Sequence, residues 1–173
     1  MSKQNKQKGC VKMTENKNSK NNCLPLSFEP LFYGAGSVCA NKRVAFAMSL
    51  SDINARDNSF LGKTMAMYAA ECGDKALIKY CHEHDADFNI QNNDGWTALM
   101  YAVANDQEDI VSYLLDNVKN IDLKKQSVQG NDVFYFATYS TDKIRNMLYS
   151  FLYNRQIKGS AAKKQKDANV KTK

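Results

Sequence analysis

The stretch Gly95-Trp96-Thr97-Ala98-Leu99-Met100-Tyr101-Ala102-Val103 repeats, in loosened form, a stretch that begins 33 residues earlier: Gly62-Lys63-Thr64-Met65-Ala66-Met67-Tyr68-Ala69-Ala70. A second apolar segment follows each one. The first is Ala76-Leu77-Ile78-Lys79-Tyr80-Cys81, the second Ile110-Val111-Ser112-Tyr113-Leu114-Leu115. Apolar residues spaced i, i+3, i+4 put one stripe on one helix face, so each unit reads as two short helices. A third unit opens 35 residues after Gly95 with Gly130, and Val133-Phe134-Tyr135-Phe136-Ala137 stands where Ala98 to Ala102 stood. Its second helix is predicted over Lys143–Tyr153, with Ile144, Met147, Leu148, Phe151 and Leu152 on one face. A degenerate unit precedes all of these. Glu29-Pro30-Leu31-Phe32-Tyr33-Gly34-Ala35 aligns with the helix of Met65 at an offset of 35, and Asp52 aligns with Asp87 at the same offset.

The local chemistry agrees with that division. Gly62, Gly95 and Gly130 suit turns that need backbone angles closed to other residues. Thr64, Thr97 and Asp132 follow them by two residues, where a side-chain oxygen can accept an orphan N–H at a helix start. Gly73 is placed to end the first helix of its unit, where the next unit has Asp106. The spacing from Asn54, Asn89 and Asp122 to the following glycine reads as two long turns and one short one. One such unit cannot bury its apolar face alone, and stacked neighbours supply the rest of the core.

A period near 33 with two helices per unit resembles the ankyrin repeat. Residues 94–102, Asp-Gly-Trp-Thr-Ala-Leu-Met-Tyr-Ala, match that family's Asp-Gly-x-Thr-Pro-Leu-His-x-Ala except for Ala98 and Met100. The resemblance covers roughly residues 29–153. It implies an all-α solenoid of stacked helix-turn-helix units, with β-turn fingers along one edge and the first helix of each unit, helix A, lining a concave face. The domain reading is a basic N-terminal segment 1–28 without structure, a repeat domain 29–155 in units of roughly 29–61, 62–94, 95–129 and 130–155, and a Lys-rich tail 156–173 without structure. The family's helix A histidine, which bonds across fingers, is replaced by Met67, Met100 and Tyr135, and looser fingers are expected.

Charge is unevenly placed. Residues 1–23 carry a net +5 and residues 156–173 another +5, which leaves −4 for residues 24–155 of a chain whose total is +6. The basic character thus belongs to the ends and the repeats are mildly acidic. Segments so polar bury too little to offset the entropy of ordering. The five cysteines are an odd number, and no apolar signal segment precedes them. That pattern suits a reducing compartment, so an intracellular, cytoplasmic location is expected. Export without a cleaved signal, or nuclear import through Lys163-Lys164-Gln165-Lys166, stays open.

Few residues suggest chemistry. Cys81-His82-Glu83-His84 has metal-binding residue types, but Cys81 takes a core slot and the two histidines diverge on a helix, so no metal is expected. No phosphate loop, His-Glu-x-x-His or serine elbow is present, and neither an enzyme nor a cofactor is expected. Carboxylate pairs such as Glu108-Asp109 sit at helix starts, where they complement the dipole. The expected function is binding of a protein partner by finger tips and helix A, through Arg56, Phe60, Lys63, Asn92, Trp96, Lys124, Lys125 and Asn131. Trp96 stands out because its equivalents Lys63 and Asn131 are polar, which marks the slot as exposed. It reads equally as packed on Phe60 or Leu61. The alternative function is binding of nucleic acid or an anionic membrane by the Lys-rich termini, with the repeats as scaffold.

Overall fold

The computed structural model of the chain describes residues 40–57 and 61–170. The predicted first helix around residues 29–35, the segment 1–28 and Phe60 lie outside the described residues. Within them run seven helices: α1 (Ala40–Met48), α2 (Met65–Cys72), α3 (Lys75–Glu83), α4 (Ala98–Ala104), α5 (Glu108–Asn117), α6 (Val133–Tyr139) and α7 (Asp142–Val170). The inner helices α2, α4 and α6 pack in sequence on one another, and α1, α3, α5 and α7 do the same outside them. This is the stacked helix-turn-helix solenoid that the repeat predicts.

Four of the helices begin at a side chain that caps them. The hydroxyls of Thr64 and Thr97 accept the N–H of Met67 and Met100, and Asp132 accepts those of Phe134 and Tyr135. Asp74 caps α3 by accepting from Leu77, and is itself held by Arg43 of α1 at 2.7 Å. Gly73, at φ 70°, turns the chain left-handed after α2, and Asp106 does so at φ 53° after α4. The interface between neighbouring units is apolar at its centre. Met65, Met67, Leu77, Ile78, Leu99, Met100, Ile110 and Leu114 are all fully buried. Burial at about 25 cal/mol per Å2 of apolar surface is what holds such a stack together.

The fingers are tied by a device the sequence reading missed. Tyr68 donates its hydroxyl to Asp57 Oδ2 at 2.6 Å, and Asp57 Oδ1 accepts the Lys63 N–H at 3.0 Å. One unit on, Asn92 Nδ2 donates to the Tyr101 hydroxyl at 2.9 Å, while Asn92 Oδ1 accepts from the N–H groups of Trp96 and Asp94. In these two units a tyrosine of the inner helix is thus tied to its own finger, a different bond from the one across fingers that the family's histidine makes. The third unit has Phe136 and Ser127 at those places, so its turn is closed by the Ser127 hydroxyl on the Asn131 N–H.

Backbone bonds join finger to finger, from Asn93 N–H to Leu61 O and from Val128 N–H to Asp94 O, both 2.9 Å. On the far edge, Asn54 Oδ1 accepts the Asp87 N–H and Asn89 Oδ1 accepts the Asp122 N–H, at 2.7 and 2.8 Å. Asp52, Asp87 and Asp122 each accept from the N–H two residues on, so they are the equivalent positions. Only the first finger is then long. The extra two residues of the third unit fall before Asp122, not in its turn.

The tail is a second correction. Residues 156–170 continue α7 as helix. Composition alone predicts an unstructured tail there, because these residues offer no buried face. The stretch is nevertheless rich in Ala, Lys and Gln, which lose little in a helix, and it extends a helix already nucleated by packing.

Candidate protein-binding surface

Three of the eight expected binding residues converge on one ring. Lys63 Nζ lies 4.7 Å from the Tyr101 ring centroid, the Trp96 ring lies 5.1 Å from it, and Asn92 holds its hydroxyl. Their environments differ from the expected rim. Lys63 is only 5 % exposed; its ammonium pairs with Glu71 Oε2 at 2.8 Å and also sits 5.0 Å from the Tyr68 ring. Asn92 is buried within its own turn. Both work inside the stack, because a Lys stem packs as an apolar chain and its charge is met by a carboxylate and two ring faces. The polarity of slot 63 therefore says nothing of exposure at slot 96. Burial, aided by the nearby Glu71, Asp94 and Asp57 carboxylates, pushes the Tyr101 phenol well above its usual range and keeps it a neutral bonding partner.

Trp96 is half-buried and packs on the core. Its ring partners among the described residues are Tyr101 of its own unit and Phe136 of the next, whose centroid is 4.3 Å away. The ladder continues outward from Phe136 to Tyr135 and from Tyr135 to Tyr139, each step 5.5 Å between centroids. Tyr139, at the end of α6, is 76 % exposed, and Val128 at the third finger tip is also largely exposed. Sequence reasoning left both out of the binding surface. The signal available for Tyr139 was its place four residues after Tyr135 on a short inner helix.

The polar residues of the expected set frame this ladder. Arg56 is exposed and donates to the Gln91 carbonyl and, at 3.5 Å, to Asn93 Oδ1. Gln91 Nε2 in turn donates to the Gly95 and Gln126 carbonyls. Lys124 is exposed and Lys125 half-buried on the approach to the third finger, and Asn131 is half-buried in its turn. The finger edge is thus a bonded strip with an aromatic centre and cationic flanks.

The histidines are engaged locally. His82 Nδ1 lies 3.0 Å from the Tyr113 hydroxyl, and His84 Nδ1 lies 2.8 Å from the Tyr80 carbonyl with its ring stacked on Tyr80. Cys81 is buried, which pushes its thiol up to about 12, with Asp74 adding to the effect. Among the described residues no three His, Cys, Asp or Glu side chains are grouped to hold a metal ion. An open groove of about 590 Å3 between α5 and α7 is lined by Ser112, Asp116, Lys143 and Asn146 beside Leu115 and Met147. It gathers no set of groups suited to acid–base chemistry.

The sequence profile described as "Ankyrin repeats (3 copies)" matches residues 31–127, more than half of the chain. The chain belongs to the ankyrin-repeat family. Members of that family are generally protein–protein interaction modules and are typically not enzymes. Among curated proteins, the chain is similar to rat (Rattus norvegicus) ankyrin repeat and SAM domain-containing protein 6, with 37% identity over 67 residues, 38% of this chain and 8% of that protein. It is also similar to mouse (Mus musculus) BCL-6 corepressor-like protein 1, with 34% identity over 70 residues, 40% of this chain and 4% of that protein. The matches thus span under a tenth of each relative's length. No helix among the described residues is long and apolar enough to cross a membrane.

Proposed function

We propose that this ankyrin stack binds a protein segment along its finger edge and helix A face, with an apolar anchor of the partner seated against Trp96 and Tyr139. The observation that supports this most is the ring ladder from Trp96 through Phe136 and Tyr135 to Tyr139, part of it open to solvent on a scaffold of bonded fingers. Aromatic side chains on a rigid support are the usual centre of an interface, because they bury much area and lose little freedom. Arg56, Lys124, Lys125 and Asn131 flank the ladder and favour a segment whose anchor is bordered by carboxylates. Lys63 and Asn92 act indirectly, by fixing the ring of Tyr101 beneath Trp96.

Selection of a displayed random-peptide library on the full chain tests this reading. The expected result is enrichment of peptides with an aromatic or aliphatic residue next to Asp or Glu, and loss of their binding on Trp96→Ala. Enrichment of peptides that bind Trp96→Ala equally well would refute it.

A further inference from the structure

The inner face carries one arrangement twice, filled in one unit and open in the next. In the first, Lys63 lies against the rings of Tyr68 on α2 and Tyr101 on α4, and its ammonium meets Glu71 Oε2 at 2.8 Å. Residues 63 and 71 thus fill the gap between those two helices. At an offset of 33, the same two positions hold Trp96 and Ala104. Trp96 lies in the same manner between Tyr101 on α4 and Phe136 on α6, with ring centroids 5.1 and 4.3 Å away. At position 104, however, a methyl group stands where Glu71 extends a carboxylate, and Ala104 is exposed. The gap between α4 and α6 is therefore left with a dip beyond the edge of the Trp96 ring.

The far end of the dip is polar. Ser140 donates its hydroxyl to Asp106 Oδ1 at 2.6 Å, and the Thr141 N–H reaches the same oxygen at 3.2 Å. Both donors use Oδ1, and Asp106 is exposed, so Oδ2 is left to accept from outside. Tyr139, the equivalent of Ala104 one unit on, stands at the α6 rim and is 76 % exposed. The rise from Tyr101, beneath Trp96, to Asp106 is roughly 7 Å along the chain, about the reach of one long aromatic side chain.

We infer that this dip seats the anchor of the partner segment, and that the anchor is a tyrosine or tryptophan whose O–H or N–H donates to Asp106 Oδ2. The inference rests on the finger-edge reading and names the residue that the edge selects. A ring laid over Ala104 packs its faces and edges on Trp96 and Tyr139, which suits the aromatic preference for tilted and offset contacts. Its polar tip then meets a carboxylate, and such charge-assisted bonds are the stronger kind. A phenylalanine or leucine in the same seat covers Oδ2 without replacing the water it loses, and that mismatch sets the selectivity.

Calorimetric titration of the full chain with peptides selected from the random library, resynthesised with Tyr or Phe at the anchor, tests the inference. Ala104→Gln rebuilds the outline of Glu71 without its charge. It is expected to weaken the Tyr peptide at least about tenfold, with helical circular dichroism and unfolding midpoint unchanged because the position is exposed. Ala104→Ser is expected to bind as the wild type does. On the wild type, the Phe peptide is expected to bind roughly tenfold more weakly than the Tyr peptide. Asp106→Asn keeps an oxygen for Ser140 and Thr141, tolerates the left-handed backbone at φ 53°, and replaces Oδ2 by a donor. On that variant the two peptides are expected to bind alike. Binding lost with Trp96→Ala but untouched by Ala104→Gln would overturn the seat and leave the finger-edge reading standing. Binding untouched by Trp96→Ala would overturn both. A Tyr-to-Phe change without effect on the wild type would overturn the bond to Asp106, and selected peptides anchored only by aliphatic or basic residues would overturn the choice of anchor.

Discussion

Replacing Gly95 and Gly130 by alanine, one at a time, separates the strain within a finger from the stacking between fingers. Both glycines hold left-handed backbone, at φ 77° and 81°. An alanine there costs about 1–2 kcal/mol in the folded state. It regains roughly 0.4–1 kcal/mol by restricting the unfolded chain. For Gly130 nothing else is involved, since an added Cβ meets no atom within 4 Å. The expected destabilisation is about 1 kcal/mol or less. At Gly95 the added Cβ falls 2.9 Å from both the Ser127 Cα and the Val128 N. Those are backbone atoms of the next finger, so they move only as a unit. The move strains the Val128 N–H to Asp94 O bond at 2.9 Å and the Gln91 Nε2 bond to the Gln126 carbonyl at 2.8 Å. Two bonds at about 0.5–1.5 kcal/mol each bring the expected cost of Gly95→Ala to roughly 2–4 kcal/mol. Urea unfolding followed by far-ultraviolet circular dichroism gives both values from the midpoint shift at constant slope. Equal costs at the two glycines would refute the direct stacking of the second finger on the third.

Three further outcomes follow from the same packing. Leu99→Ala, at a fully buried position of α4, is expected to cost about 2–5 kcal/mol in the same unfolding experiment; an overlaid curve would place Leu99 outside the core. Lys63→Met leaves Glu71 without its cation and is expected to cost about 2–4 kcal/mol, as is Glu71→Gln. The double variant should cost less than either, so additive costs would show that the pair does not interact. Cys81, with its thiol pushed up to about 12, should resist iodoacetamide at pH 8 in the native chain while exposed Cys72 reacts, as read by mass spectrometry. The sign for stability follows: the unfolded thiol ionises near its ordinary value of 9.0 and the folded one near 12, so this contribution is intact below pH 9 and fades between the two. Alkylation of both cysteines at one rate would contradict the burial of Cys81.

The repeat was legible because its signals are local. A glycine that needs positive φ, a threonine two residues on that caps a helix, and apolar residues at helical spacing all act within one unit. They mark helix starts, and Thr64, Thr97 and Asp132 cap as read. What escaped the reading lies between units. Lys63 looks like a rim residue until Glu71 and two tyrosine rings close around it. Trp96 has Phe136 as a neighbour, 40 residues later in sequence and one unit over. The tether of Tyr68 to Asp57 joins a helix to its own finger across 11 residues, and neither residue type alone announces it. Composition misjudged residues 156–170 because it measures burial, whereas a helix seeded by packed turns can extend without it.

The central claim is that the finger edge, not the Lys-rich ends, recognises a partner. Calorimetric titration of a selected acidic-aromatic peptide at two salt concentrations tests it most directly, on the wild type, on Trp96→Ala and on the chain with Lys163, Lys164 and Lys166 changed to Gln. Trp96→Ala should lose at least about 2 kcal/mol of binding, the scale of an aromatic anchor. The lysine variant should bind as the wild type does, with an unchanged salt dependence. Affinity that survives Trp96→Ala but vanishes with the three lysines, with the steep salt slope of polyanion binding, would contradict the claim and assign recognition to the ends of the chain.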